Sequence, residues 1–447
     1  MADQPSNGQQ YGPGITRIAV TGFKSLASKT DVEIRPLTVL AGANSSGKSS
    51  LMQPLLLMKQ TLESSVVPAG PFLLSGPYTR YTEAKQFLSR MGIASDSSQP
   101  FSVDFDLGAE MAAGFTYATG QEKAFDVVET RGLERPDLNW SGPWRIDKDS
   151  PPDLLKSLTR WNLLASNKGL TEFSVERYKF YHCIRATGPL GVTSSLIGLW
   201  TLDPISVLNS ETRKLIHVPG LRGDQYRWLY LANISAVNAF EGLFESYVPS
   251  LIDSWQESGD SKSIRELSEG LKLLGLASSV RTNKLNESQI EMLVPRTFNS
   301  GEGDLVNVAD VGLAVSTVLP VLVALIQAQP GQLVYIEQPE LHLHPKAQVL
   351  MAELLVRAAN RGVRLIIETH SSLLLQGILT CVAKGTITPE NVALHWFTRN
   401  EDGVTKVTTA DLDAQGRFGD WPADFDNVEM KASNDYLDAM ESKLMAS

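Results

Sequence analysis

The chain has 447 residues, room for roughly two to three domains' worth of core. Its 43% apolar and 20% charged residues mark an ordinary globular protein rather than a disordered one. A formal net charge of −10, from 40 Lys and Arg against 50 Asp and Glu, excludes a surface that is basic everywhere, so any nucleic-acid contact needs a local patch. Cys183 and Cys381 are too few for a disulfide framework and lie in no CxxC or Cys/His zinc spacing, so reduced thiols in a cytoplasmic protein are expected.

Residues 1–14 are rich in Gln, Gly, Pro and Asn, lack a charged-then-apolar signal pattern, and read as a flexible tail. Ile15 to Leu26 alternates loosely and reads as a strand. Leu37 to Leu40 is a second strand, ending in Ala41-Gly42, and a helix with Pro54 in its early turns starts at Lys48. Residues 65–299 mix short strands, turns and isolated helices into a middle lobe. Within it Ser261 to Leu274 has helical spacing with Ser261 as its cap. No sustained heptads appear there, which argues against long coiled-coil arms. The group Arg213-Lys214, His217, Arg222, Arg227-Trp228 mixes basic and aromatic residues as nucleic-acid surfaces do, although a solvated face accounts for it as simply.

Between Asp310 and Glu337 no residue is charged, long enough on length alone to cross a bilayer. Pro320, Gln327, Gln329 and the Pro330-Gly331 turn interrupt it, so it reads as a buried helix, a turn and a buried strand, with no membrane anchor. A helix from Pro345 to Ala359, a strand from Val363 to Glu368 and a helix from Ser371 to Val382 follow. This strand–helix beat predicts an α/β fold with a mostly parallel sheet covered on both faces. From Val392 a strand, a turn at Asp402-Gly403 and another strand lead into an acidic tail around Trp421.

Gly42-Ala43-Asn44-Ser45-Ser46-Gly47-Lys48-Ser49 matches GxxxxGK[ST] at every specified position and lies between an apolar strand and a helix, as the mechanism requires. The glycines let backbone N–H groups fold around phosphates, and the positive end of the helix faces the same charge. ATP and Mg2+ are therefore the expected ligands. Lys48 would reach the β- and γ-phosphates, Ser49 would ligate magnesium and Ser50 could donate to the α-phosphate. Downstream, Leu333-Val-Tyr-Ile-Glu337-Gln338-Pro339-Glu340 is a buried strand ending in acids, where a Walker B motif would place a magnesium-side carboxylate and a base for water.

The phrase EQPELHLHP, followed by ETHS at Glu368 to Ser371, resembles the ATP-binding-cassette (ABC) ATPases related to RecF, the structural-maintenance-of-chromosomes (SMC) proteins and the overcoming-lysogenisation-defect nucleases. Asp310-Val-Gly312-Leu-Ala-Val-Ser316 is similar to the degenerate signature helix of that group. The resemblance implies an ABC-type P-loop NTPase domain from residues 15–64 and 300–400, with the mixed middle lobe inserted between Walker A and the signature and residues 401–447 as an extension. It also implies head-to-tail pairing, the Gly312–Ser316 segment of one copy closing on ATP held by the other, hence a homodimer or higher oligomer. ATPases with this look occur in prokaryotic anti-phage systems beside a nuclease or other effector, and DNA is a further candidate partner. Lys24, near the nucleotide in such ATPases, reads more simply as a surface lysine; Gln86 is a candidate for the loop glutamine that reports on magnesium.

Where that class has Asp-Glu, this chain has Glu337-Gln338. Glu337 can still reach magnesium, whereas Gln338 can orient water but cannot take its proton. Glu340 is the nearest spare carboxylate, and His370 would be the switch histidine. An ATPase that is slow or partner-dependent is expected, and an ATP-dependent scaffold with negligible hydrolysis is the alternative. The HxH pair His342 and His344 could suggest a metal, but no carboxylate or cysteine pattern completes a site; the resemblance puts His344 in the interface loop and leaves His342 structural. Asp411-Leu-Asp413 gives a DxD spacing with no room for a nuclease domain around it.

Overall fold

The structure, a computed structural model, describes residues 14–91, 99–108, 110–119, 125–133, 143–152, 172–187, 193–195, 204–222, 227–234, 239–298, 303–418, 437–438 and 440. The tail before Gly14 and the acidic segment around Trp421 lie outside the described residues.

Strand β1 (Arg17–Thr21) pairs with β2 (Thr30–Glu33), and β3 (Leu37–Gly42) runs into helix α1 (Lys48–Glu63). Strands β4 (Phe101–Asp106), β5 (Ala112–Thr119), β6 (Phe125–Leu133) and β7 (Pro143–Ile146) extend the first pair into an antiparallel sheet of order β2-β1-β4-β5-β6-β7. A separate antiparallel sheet holds β8 (Glu172–Tyr178), β9 (Tyr181–Thr187) and β10 (Thr193–Ser195). After α2 (Pro204–Lys214) come β11 (Ile216–Val218), β12 (Leu229–Tyr230), α3 (Val248–Glu257) and α4 (Ser261–Leu273). Strands β13 (Arg281–Lys284), β14 (Gln289–Pro295) and β15 (Leu305–Asn307) form a small sheet with β12. The chain ends its described core with α5 (Leu313–Gln327), β16 (Leu333–Glu337), α6 (Pro345–Asn360), β17 (Arg364–Thr369), α7 (Ser372–Ala383), β18 (Val392–Arg399) and β19 (Thr405–Ala410).

The central sheet has the order β11-β16-β17-β3-β18-β19, parallel throughout except for the β18–β19 hairpin. Its strands read as continuous apolar runs because both faces are covered. Val39, Val334, Ile336, Leu365 and Ile367 enter one core with α3 to α7, while Leu40, Tyr335 and Ile366 enter a second core with α1 and the antiparallel sheet. Alternation along each strand thus sends neighbours to opposite layers, and each fully buried aliphatic side chain contributes about 1.5–3 kcal/mol. The uncharged stretch after Asp310 becomes α5, a turn in which Gly331 has φ 85°, and β16. Among the described residues no helix is long and apolar enough to cross a membrane.

Several local expectations change. Helix α4 is capped by Asp260, whose carboxylate accepts from the Ser263 N–H at 3.1 Å, and Ser261 is its first residue. A carboxylate at this place satisfies an open N–H and also meets the positive end of the helix dipole. Ile216–Val218, from the stretch read as an inserted lobe, supplies an edge strand of the central sheet beside β16. Thr405–Ala410, from the stretch read as an extension, supplies the opposite edge.

Candidate nucleotide site

The phosphate loop takes the shape its residue types demand. Gly42 and Gly47 have φ of 148° and 107°, and a Cβ there would stand 2.3 Å from Phe397 O and from Thr405 Oγ1 respectively. Ser45 occupies the left-handed region at φ 61°. Helix α1 starts with no side-chain cap, so its first N–H groups stay available to an anion. Thr405 props the loop from outside, its hydroxyl lying 2.7 Å from Ser46 O and 2.8 Å from Ser25 Oγ.

Lys48 is buried, and its Nζ donates to Gly42 O at 3.0 Å and Ala43 O at 2.9 Å. Burial lowers its pKa, while the charges of Glu368 and Glu340 oppose that shift. The ammonium sits over the loop with neutral acceptors, these two carbonyls and the Ser46 hydroxyl at 3.5 Å, an arrangement that suits displacement toward phosphate oxygens. Asn44 flanks the opening beside Gly42 and Ala43, and Ser50 lies buried in the first turn of α1.

Gly42, Ala43, Asn44, Gln338, Glu340, His342 and His370 line one open cleft of about 570 Å³. The three residues read from the sequence as catalytic therefore converge on the mouth of the phosphate loop. Gln338 follows β16 in the left-handed region at φ 48°, its N–H donating to Glu368 O at 2.8 Å. Glu340 Oε1 accepts from Thr369 Oγ1 at 2.7 Å and from the His370 N–H at 3.2 Å. Its Oε2 is buried and has no partner among the described residues. Burial raises the Glu340 pKa against the pull of these donors and of Arg222. The His370 pKa is lowered by burial and by the Lys48 charge, against a hydrogen bond to the Gly42 backbone.

The strand ends bring two more carboxylates together. Glu337 and Glu368 are register partners on β16 and β17. Both Glu337 oxygens are engaged, Oε1 with His217 Nε2 and Oε2 with the Gly220 N–H, each at 3.0 Å. Burial would raise the Glu337 pKa, but the His217 ring and these hydrogen bonds hold it below its ordinary value. Glu368 accepts from Ser49 Oγ at 2.8 Å and from the Tyr335 hydroxyl. Its pKa is pushed up to about 7 by burial and by the Glu337 charge.

Gly312 and Ser316 do not line this cleft. Gly312 caps α5, and the Ser316 hydroxyl is turned into its own helix, donating to Leu313 O at 3.0 Å. Gln86 is exposed and closes its own turn, taking the Thr82 N–H at 2.8 Å, so it stands away from the loop. Lys24 is half-buried with Nζ 5.1 Å from the Tyr81 ring centroid, rather than a free surface lysine. His344 Nδ1 accepts from the Lys346 N–H at 3.3 Å and caps α6. Among the described residues no cluster of His, Cys, Asp and Glu could hold a metal by itself; a magnesium ion at this site would draw its remaining ligands from the nucleotide and water.

The basic group of 213–228 is not one surface. His217 is buried against Glu337 and stacks on Tyr335 at 5.0 Å and 10°. The Arg222 guanidinium donates to Thr317 O at 2.7 Å, Pro219 O at 2.9 Å, Glu337 O at 2.6 Å and Gln338 O at 2.7 Å. It therefore ties α5 to the end of β16, and burial brings its pKa down to about 10. Arg222→Ala is expected to destabilise the protein by about 3 kcal/mol or more, since four carbonyls lose a charged donor. Urea denaturation checks this: a loss under about 1 kcal/mol would mean the clamp is incidental. Tyr335 and Thr405 carry no site signal in the sequence, and His217 and Arg222 read there only as members of a basic and aromatic group. Glu368, near the end of β17, is legible in the sequence as the first residue of the ETHS phrase but not as a site carboxylate.

The family described as "AAA domain, putative AbiEii toxin, Type IV TA system" matches residues 231–376, which span α3 to the start of α7 and begin beyond the phosphate loop. No curated protein matches the sequence. Among solved structures, an SMC head bound to the C-winged helix domain of ScpA is 12% identical with TM-score 0.43, covering 90% of this chain and 98% of that one. An SMC head domain from Thermotoga maritima is 10% identical with TM-score 0.35, at coverages of 88% and 98%. An Smc head with an extended coiled coil, bound to the C-terminal domain of ScpA derived from Pyrococcus furiosus, is 12% identical with TM-score 0.41, at 90% and 97%. The family match gives residues 231–376, about a third of the chain, the character of an AAA domain, and the phosphate loop set on a parallel sheet beside it has the architecture of a P-loop nucleotide-binding domain.

Proposed function

We propose that the chain binds Mg-ATP at the Gly42–Ser50 loop, hydrolyses it slowly, and uses the cycle to open and close a homodimer that drives an effector partner. The observation that carries this reading is the cleft where the phosphate loop meets Gln338, His370 and the unpartnered buried oxygen of Glu340. Lys48 holds the β- and γ-phosphates, and Ser49 with one strand-end carboxylate forms the magnesium side. Magnesium, when bound, neutralises phosphate charge. Glu340 accepts the proton of the attacking water, Gln338 orients that water, and His370 contacts the γ-phosphate. In the paired form Gly312 and Ser316 of one copy face nucleotide held by the other, with the Ser316 hydroxyl turned out of its own helix.

The matched family's description names a putative toxin of a type IV toxin–antitoxin system, in keeping with a cytoplasmic anti-phage role beside a nuclease or other effector, with DNA as a further candidate ligand. Mg-ATP turnover and oligomeric mass, measured in the same samples, test the reading. ATP-dependent dimers with turnover support it, and absence of nucleotide binding overturns it.

One observation favours a second reading. Gln338, which carries no charge, stands where this class has its base, in a left-handed turn that fixes its direction. On this reading the protein is an ATP-dependent scaffold or sensor. Gln338→Glu is expected to raise turnover about 10-fold or more by supplying that base. An unchanged rate in phosphate-release assays would place the limit elsewhere.

A further inference from the structure

We propose that Glu368 is the carboxylate that orients Ser49 and completes the magnesium side of the site, while Glu337 serves as an anchor for the β11 edge. The inference rests on the nucleotide reading above and assigns the metal-side role within it.

The two acids are chemically alike and in register, but the sheet order separates them. β17 lies directly beside the phosphate-loop strand β3, with Glu368 paired to Leu40, whereas β16 lies one strand farther out. That extra strand adds about 4.8 Å. The side-chain contacts follow the same division. Ser49 gives its proton to Glu368 Oε2 at 2.8 Å, which leaves the serine oxygen's lone pairs free for a cation. The Tyr335 hydroxyl binds Glu368 Oε1 from the side, and Tyr335 is itself fixed by complete burial and by its stacking on His217. A serine oxygen and a carboxylate held together by the protein form a hard, preorganised pair of the kind magnesium takes.

Each Glu337 oxygen is held from the β11 side instead. His217 and the Gly220 N–H hold one each, and a Cβ at Gly220 would stand 3.2 Å from Oε2. His217 belongs to β11 and Gly220 follows it closely, so these bonds lock the short edge strand to the end of β16.

The experiment measures nucleotide affinity of the full chain with and without Mg2+, and then Mn2+ affinity of the nucleotide complex by electron paramagnetic resonance. Glu368→Gln is expected to leave ATP binding in EDTA within about 3-fold of wild type and to weaken Mn2+ binding about 10–100-fold. Glu337→Gln is expected to keep Mn2+ binding within about 3-fold and to lower the melting temperature instead. Ser49→Ala combined with Glu368→Gln should cost little more than either alone, because both act on one ion. If Glu368→Gln fails to fold, Glu368→Asp, shortened by one methylene, gives the same readout. Strong Mn2+ loss in Glu337→Gln, or unchanged Mn2+ binding in Glu368→Gln, overturns the assignment. A wild-type chain that binds no nucleotide even with Mg2+ overturns the nucleotide reading and this assignment with it.

Discussion

Lys48→Ala is expected to lower ATP affinity about 100-fold or more, because two charge-assisted bonds to phosphate oxygens disappear at once. The loop itself should survive. Its shape rests on the glycines at 42 and 47, on the Ser46 carbonyl held by Thr405, and on a helix start that needs no side-chain cap. The substitution does leave Gly42 O and Ala43 O without the ammonium that now satisfies them. A drop in melting temperature without nucleotide should therefore accompany the lost binding. Isothermal titration with ATP and thermal melts of both forms check the result. Retained affinity in a folded variant would remove the phosphate role of this loop, and with it the ATP-driven dimer.

Glu340→Gln should leave ATP affinity within about 3-fold and reduce turnover about 10²–10⁴-fold, the usual contribution of a positioned general base. The glutamine oxygen can still accept from Thr369 and His370, so the geometry of the cleft is kept while the basic oxygen is lost. Burial holds the Glu340 proton more tightly than the ordinary carboxylate value of 4.5. The base form therefore appears only as pH rises through that raised value. The acidic limb of the wild-type rate profile should lie above pH 4.5 and vanish in the variant. Wild-type turnover in Glu340→Gln would exclude this residue as base and leave Gln338 and His370 as the groups nearest the water.

The contrast between Glu340 and Glu337 is informative about the substitution of Asp-Glu by Glu-Gln. Sequence reading treats Glu337 as the metal acid and Glu340 as a spare. In the structure Glu337 is fully engaged with His217 and Gly220, while Glu340 keeps a buried oxygen without a partner. The Glu337 contacts depend on β11, a three-residue strand whose pattern is too short to mark it as part of the central sheet.

What the sequence determined by itself is local. The loop from Gly42 to Ser49 is legible because its conformation is set within one contiguous segment, by glycines at two positions and by the strand and helix on either side. The α5–turn–β16 segment, the helix opened by Pro345 and the β18–β19 hairpin around Asp402-Gly403 are legible for the same reason, since hydrophobic period and turn residues act over a few positions. What only the tertiary structure decided is which side chain meets which. Ser49 finds Glu368 across 319 residues, Arg222 finds the Glu337 carbonyl across 115, and Thr405 finds Ser46 across 359. Those pairings follow from strand order, with β17 placed between β3 and β16 and β11 closing the edge. Strand order minimises exposed apolar surface over the whole chain, and no local pattern encodes it.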